Sequence, residues 1–566
     1  MDKVCTQCSA SFEITNDDLK FYEKVSPEFG GKKYLIPPPT QCPDCRNQRR
    51  MAWRNDRTFY HRKCDKTGQM FISMYSPDTA FPVYKQDEWH KDSWEGLDYG
   101  RTYDFSRSFF EQWGALRDTV PHWGVAISNC ENSDYCNYCT DEKNCYLDIA
   151  AEGNEDCYFD LFVKNSVRCV DCTFVYDSEL CYECIQCYNV YACRNSMYLD
   201  SCTDCTFCFD LKGCKNCLLS TNLRNKEFYI LNKQHTKEEY VAKLKELNLS
   251  SYSSIKNVEG IWKTMRIENG VYRDMVLINV EQCSGNDIKN SKNCAYCFNA
   301  TDCEDCAYLY DVLNAKDCRD MNYSLYDPEA SYEIISTVGT KFCAFLMAGP
   351  YNASSFYCQQ MKSCKNCFGC QGLKNKQYCI LNKQYTKEEY EALVPKIIEH
   401  MRTTHSTGSG QAGEYGEFFP AHLSPHGYNE TVAQEYMPLT KEETLKRGWN
   451  YAEESESGEH YLGSPIEILD SIVDIDDSIC GKVLLCEVTK KPFKIIAQEL
   501  AFYKRMGIPI PRRCPMQRHK DRSALRNPRK LWPRTCGKCK KDIQTTYSPD
   551  RPETVYCEMC YLETVY

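Results

Sequence analysis

The sequence predicts a mainly β chain: a central parallel β-solenoid (β-helix) in two duplicated halves, flanked by two homologous cysteine-knuckle modules. Three observations predict it. Cysteines recur through the middle at a dominant step of 21, with Cys181, Cys184, Cys187 and Cys193 followed by Cys202, Cys205, Cys208 and Cys214. Some steps are 24, as in Cys145 to Cys169 to Cys193; fixed periods of this size signal a repeat architecture, with one coil of a parallel β-helix expected per 21 to 24 residues. The string KNKQYCILNKQYTKEEYEAL at Lys374 repeats RNKEFYILNKQHTKEEYVAK at Arg224, an offset of 150. Finally, Cys5, Phe12, Phe21, Tyr22, Ile36, Pro37, Cys42 and Pro43 align with Cys486, Phe493, Phe502, Tyr503, Ile508, Pro509, Cys514 and Pro515 once a nine-residue loop difference is allowed.

The first module, residues 1–90, has the four ligands Cys5-x2-Cys8 and Cys42-x2-Cys45, and only Cys64 remains of a second set, with Thr67, Lys85 and Glu88 at the other places. The last, residues 486–566, reverses this. Thr489 and Gln517 stand where Cys8 and Cys45 stood, while Cys536-x2-Cys539-x17-Cys557-x2-Cys560 is complete. A Cys-x2-Cys turn presents two sulfurs to one side of an ion, and two such turns make the closed tetrahedral site that zinc prefers. The expectation is one structural Zn2+ in each zinc-ribbon or treble-clef-like module, with Cys64, Cys486 and Cys514 as relics.

Between the modules, the aromatic-rich residues 91–125 are expected to cap the first coil of the solenoid, because exposed stacked strands invite edge pairing. The halves span residues 126–250 and 251–402. A capping box closes each on a short helix, Thr236 with Glu239 for 237–247 and Thr386 with Glu389 for 387–402. Residues 403–485 read as a flexible linker (403–413), a short helix opened by Thr440 to Glu443, and an acidic stretch around Ser464 to Asp477. The solenoid cysteines read as a packed interior ladder of small apolar side chains in preference to metal or cluster ligands or redox pairs.

With 40 cysteines and no leader before the first knuckle, the expected compartment is the reducing cytoplasm. No apolar run of about 18 residues predicts a membrane span. The net charge of −10 is uneven: residues 1–90 carry +2 and 486–566 carry +10, leaving −22 in the rest. Part of the basic charge is patterned. If the knuckle starts a helix, Arg46, Arg49, Arg50, Arg54 and Arg57 share about 140° of its surface, and Arg518, Arg522, Arg526 and Arg529 match Arg46, Arg50, Arg54 and Arg57. Metal ligands were lost beside the second stripe and the arginines were not, so the stripe has a task separate from holding zinc.

IPPPTQCPDCRNQRRMAWRNDR, CDKTG, SMYSPD, ILNKQ-x-TKEEY and TTYSPDRPETVYCEMCY together resemble a family of long, cysteine-rich zinc-ribbon proteins from uncultivated bacteria with small genomes. The resemblance covers nearly the whole chain and implies zinc binding and a cytosolic location; it brings no activity. No Walker A loop, dinucleotide fingerprint, nucleophile elbow or HExxH is present. The leading expectation is therefore a non-enzymatic adaptor whose arginine stripes engage RNA or DNA phosphates, as in a ribonucleoprotein. The alternative is a scaffold in which the modules clasp each other or the acidic solenoid, or bind an acidic protein. An enzyme comes third. The sequence gives no hold on oligomeric state.

Overall fold

The computed structural model describes residues 1–404, 413–453 and 466–566. Most of the expected 403–413 linker, and Ser464 and Pro465 of the acidic stretch, lie outside them. Each of two compact units is discontinuous in sequence. One combines Met1–Val125 with Val276–Ala452, and the other Ala126–Met275 with Glu453–Tyr566. The N-terminal module thus belongs with the second half of the repeat, and the C-terminal module with the first.

The chain is strand-rich and its long ladders are parallel. In the second unit five strands from Leu161–Lys164 to Phe209–Lys212 pair in chain order. In the first, eleven strands run from Leu277–Glu281 to Lys383–Gln384, and only the last pair is antiparallel. The register of the ladders is shorter than the expected repeat of 21 to 24. Thr173 pairs with Ile185 and Met197 with Phe209, a step of 12, and isolated bridges repeat that step at Glu131–Lys143, Asp134–Tyr146, Asn137–Ile149 and Thr140–Glu152.

The unit within the step is a triplet. From Asn129 to Leu231 every third residue has left-handed φ, with Gly at 153 and 213. The residue after each one points inward, which puts Cys145, Cys157, Cys169, Cys181, Cys193, Cys205 and Cys217 in one column at the register step, all buried. The 21-residue step is seven triplets and the 24-residue step is two registers. Left-handed backbone costs an L-residue about 1–2 kcal/mol, and Asn and Asp tolerate it best. Such residues often stack in pairs that recover part of this, as where Asn132 Nδ2 donates to Asn144 Oδ1 (2.9 Å) and Asn293 Nδ2 to Asp305 Oδ1 (2.8 Å). Interior thiols donate to backbone carbonyls, Cys184 Sγ reaching Cys193 O at 3.4 Å, so the cysteine column packs as small weak donors.

Both closing helices form where expected, Lys237–Leu247 and Lys387–Thr403, each on its capping box. The segment after the first differs from expectation: residues assigned to the second half begin with the helix Tyr252–Asn269, whose Ile255, Val258 and Trp262 pack on Phe207 and Leu218 of the first half. The aromatic segment 91–125 differs too. It packs on the last strands of the second ladder, with Phe109 5.1 Å from Tyr357 and 5.5 Å from Phe368 between ring centroids. A Cβ on Gly96 would lie 2.9 Å from Gly372 O, so only glycine permits this approach.

Candidate metal centres and the arginine clasp

The two modules fold alike. Strands Asp2–Val4 and Ser11–Glu13 correspond to Leu484–Leu485 and Pro492–Phe493, helix Asn16–Val25 to Ala497–Met506, and helix Pro43–Met51 to Pro515–Leu525. The nine-residue difference is a small hairpin, Glu28–Phe29 with Lys32–Lys33. Asp18 and Glu499, which match between copies, each complete the N-terminal cap of their helix.

Cys5, Cys8, Cys42 and Cys45 form one cluster and Cys536, Cys539, Cys557 and Cys560 another, with all sulfurs of a cluster within 4.8 Å of one another. Cys8 Sγ and Cys42 Sγ are 3.7 Å apart, as are Cys539 Sγ and Cys557 Sγ. Four sulfurs about 2.3 Å from a tetrahedral ion would lie about 3.8 Å apart, so both sets could hold a metal ion and their donors and spacing suit zinc. Each first knuckle turns through a left-handed residue, Ser9 and Lys540, with Cys5 N donating to Ala10 O and Cys536 N to Lys541 O. Burial pushes the Cys536 thiol up, but N–H groups of Cys557, Cys539 and Lys538 outweigh it and bring it to about 6, whereas burial and the neighbouring thiols push Cys560 up to about 12, so the set carries the Cys536 thiolate readily and the Cys560 thiolate only beside a cation.

The relic knuckles keep the same backbone. Cys64 N donates to Gln69 O and Cys486 N to Lys491 O, with Gly68 and Lys490 left-handed. The relic at Cys64 also keeps a bond of the complete site: Lys85 N donates to Cys64 Sγ (3.3 Å) as Cys557 N does to Cys536 Sγ (3.2 Å).

The arginines do not form a solvent-facing stripe. Arg46, Arg50, Arg54, Arg57, Arg518 and Arg522 are buried, and Arg526 and Arg529 are half-buried. In the first unit Arg46 Nη2 meets Asp320 Oδ2 at 2.9 Å, and Arg50 Nη1 meets Asp320 Oδ1 at 3.2 Å and Glu333 Oε2 at 3.4 Å. Arg49 joins Glu333 to Glu417, at 2.8 and 2.6 Å. In the second unit Arg518 Nη1 meets Asp171 Oδ2 at 2.6 Å, and Arg522 Nη1 meets Asp171 Oδ1 at 2.7 Å and Glu183 Oε1 at 3.5 Å. Burial pushes the Glu333 carboxyl above its ordinary range, opposed by Arg49 and Arg50.

These are the same contacts made twice. The offset is 149 from Asp171 to Asp320 and 150 from Glu183 to Glu333; the extra residue is where Lys316 pairs with Glu329, a step of 13 in place of 12. The aromatic contacts match as well. Arg526 lies 4.0 Å over Phe174 and Arg54 4.1 Å over Tyr323; Arg518 lies over Phe159 and Arg46 over Tyr308. Tyr503 packs on Tyr182 (5.8 Å) and Tyr22 on Tyr332 (5.2 Å). The acidic halves of the clasp were missed in the sequence. Their signal was there, as Asp171 with Asp320 and Glu183 with Glu333 at equivalent places in the two halves.

No protein-family model and no curated protein matches the chain. Among solved structures it is similar to one described as a "putative acetyltransferase" from Desulfovibrio desulfuricans G20, at 7% identity over 43% of this chain and 64% of that one. The TM-score is 0.10, and the likeness carries no argument. Among the described residues no helix is long and apolar enough to cross a membrane.

Proposed function

We propose that the protein is a non-enzymatic scaffold in which two zinc-braced modules clasp the two halves of a β-solenoid. The duplicated arginine clasp carries this reading. In both copies the first two retained arginines, Arg46 and Arg50 or Arg518 and Arg522, meet a buried aspartate of a ladder, a geometry that leaves the guanidinium groups of Arg50 and Arg522 no face for a nucleic-acid phosphate. A 12-residue register repeated at all four triplets supports closed coils of four short sides, and the four-cysteine donor sets support Zn2+ as the ion. An interior of thiols stays reduced in the cytoplasm, which is the proposed location.

Buried ion pairs of this kind specify a docking more than they stabilise it, since desolvation offsets much of their attraction. The arginine pairs hold each module to one place on its ladder. Generic single-stranded RNA titrated against the full chain at low and moderate salt tests the reading. Phosphate contacts release counterions and weaken steeply with salt. The scaffold predicts no salt-sensitive shift; a shift lost in Arg50→Ala with Arg522→Ala, at retained fold, would return the arginines to a nucleic-acid role.

A further inference from the structure

The interior of the first ladder is apolar or thiol-lined along most of its length, but its start is acidic. Glu142, Cys145 and Asp148 stand at three successive inward positions, each after a left-handed residue (Asp141, Asn144 and Leu147). One ligand atom from each lies within 4.8 Å of the others, and the residues are 1, 2 and 0% exposed. Neither carboxylate oxygen of Glu142 meets a donor at full hydrogen-bond geometry; the groups facing it, Asp148 and Cys145, are themselves acids that can only share a proton with it. A buried carboxylate needs compensation by a counter-charge or a proton.

The surroundings hold these groups in place. Asn154 Nδ2 donates to Asp148 Oδ2 (2.9 Å) and to Val163 O (2.9 Å), while its Oδ1 accepts from Ser166 N (3.0 Å). Ser133 Oγ accepts from Cys145 N (3.1 Å). Outer contacts that orient carboxylate ligands are what a metal site requires. The duplicated half supplies an internal control. At the offset of 149 these positions are Ser291, Cys294 and Cys297, where Ser291 Oγ donates to Lys289 O (2.7 Å) and the thiols Cys294 and Cys297 donate to Lys292 O and Ala295 O, as Cys145 does to Lys143 O (3.4 Å), so that the two halves differ here in the two acids. Packing a coil at this place therefore does not call for two carboxylates.

We propose that Glu142, Cys145 and Asp148 form a third metal site, inside the first ladder, for a divalent transition ion of the zinc and cobalt class. The thiolate disfavours magnesium and calcium, and two carboxylates with one thiolate suit a borderline ion. This inference is independent of the terminal four-cysteine sites.

The test counts zinc per chain in the anaerobically purified full-length protein after dialysis against zinc-free buffer. Wild type is expected to hold three ions and Glu142→Gln with Asp148→Asn two, with the four-cysteine sites intact by the thiolate-to-metal absorption of the cobalt-loaded protein. Cys539→Ser should remove a different ion, so failure at a terminal site and at the interior site read separately. If the double variant does not fold, Glu142→Gln alone, which preserves shape, must still lower the count by one. Equal counts in wild type and Glu142→Gln would overturn the proposal and leave Glu142 and Asp148 as neutral acids sharing protons.

Discussion

The two terminal modules differ in which metal cluster they keep and agree in how they grip a ladder. The N-terminal module retains Cys5, Cys8, Cys42 and Cys45 beside its arginine helix; the C-terminal one retains Cys536, Cys539, Cys557 and Cys560 away from it. Yet Arg46 and Arg50 on Asp320, and Arg518 and Arg522 on Asp171, are one arrangement. Each module has lost one cluster while the knuckle turn there kept its backbone hydrogen bond, as at Cys64 and Cys486. The clasp has no such substitute, because an arginine left opposite nothing would be a buried, unpaired charge.

The largest effect should come from the clusters. Cys536→Ser with Cys539→Ser is expected to cost one zinc per chain and to unfold the C-terminal module, since structural zinc contributes on the order of 10 kcal/mol to such folds. Cys486→Ser with Cys514→Ser, at the relic site, should leave the zinc count unchanged. Elemental analysis with hydrogen exchange resolved along the chain checks both, and equal losses would erase the distinction between complete and relic sites. Next come the clasp carboxylates. Asp171→Ala and Asp320→Ala each take a shared carboxylate from two buried guanidinium groups, leaving Arg518 with Glu499, Arg522 with Glu183 and Arg50 with Glu333, and should cost up to roughly 3–5 kcal/mol, each lowering protection in its own unit and not in the other.

A pH effect should separate the units. Burial pushes His122 and His426, both in the first unit, down to about 3, with backbone acceptance by Arg117 opposing this at His122. An unfolded histidine titrates near 6.5, so between about 6.5 and 3 the unfolded chain binds the extra protons. Stability held above 6.5 is then lost as pH falls, at about 1.4 kcal/mol per pH unit per histidine. His426→Phe, which keeps the stack on Tyr75, should reduce this slope in the first unit, where burial also lowers His90 and His422, and leave the second unchanged, as followed by denaturant unfolding at pH 7, 6 and 5. The smallest effect is at the coil corners. Asn293→Ala removes both a left-handed-tolerant residue and its bond to Asp305 and should cost about 1–2 kcal/mol, as should Asn165→Ala in the other ladder, measured by thermal unfolding.

The modules and closing helices were legible in the sequence because their signals are local: Cys-x2-Cys pairs, and Thr236 with Glu239 or Thr386 with Glu389 three residues apart. The parallel ladder was legible as a repeat but its register was not. Inward cysteines occupy any multiple of three, so the 21-residue step reports seven triplets and hides the 12-residue register. The left-handed corners carry Asn and Asp but also Tyr, Phe and Leu, which erases the glycine signal that such corners usually give. The clusters were legible to the residue. The arginines were legible as a retained set, but their destination was not, because the single inserted residue near Asp327 shifts Asp171 and Asp320 out of the 150-residue alignment that matches Glu183 with Glu333.

A double-mutant cycle on Arg522 and Asp171 tests the central claim most directly. Arg522→Met, Asp171→Leu and the pair together are compared by the stability of the second unit. If the retained arginines act inside the molecule, each single change costs several kcal/mol while the pair costs much less than their sum, a coupling of about 2 kcal/mol or more. Additive costs, with no coupling beyond about 0.5 kcal/mol, would contradict the clasp and leave the arginines to a partner outside the chain.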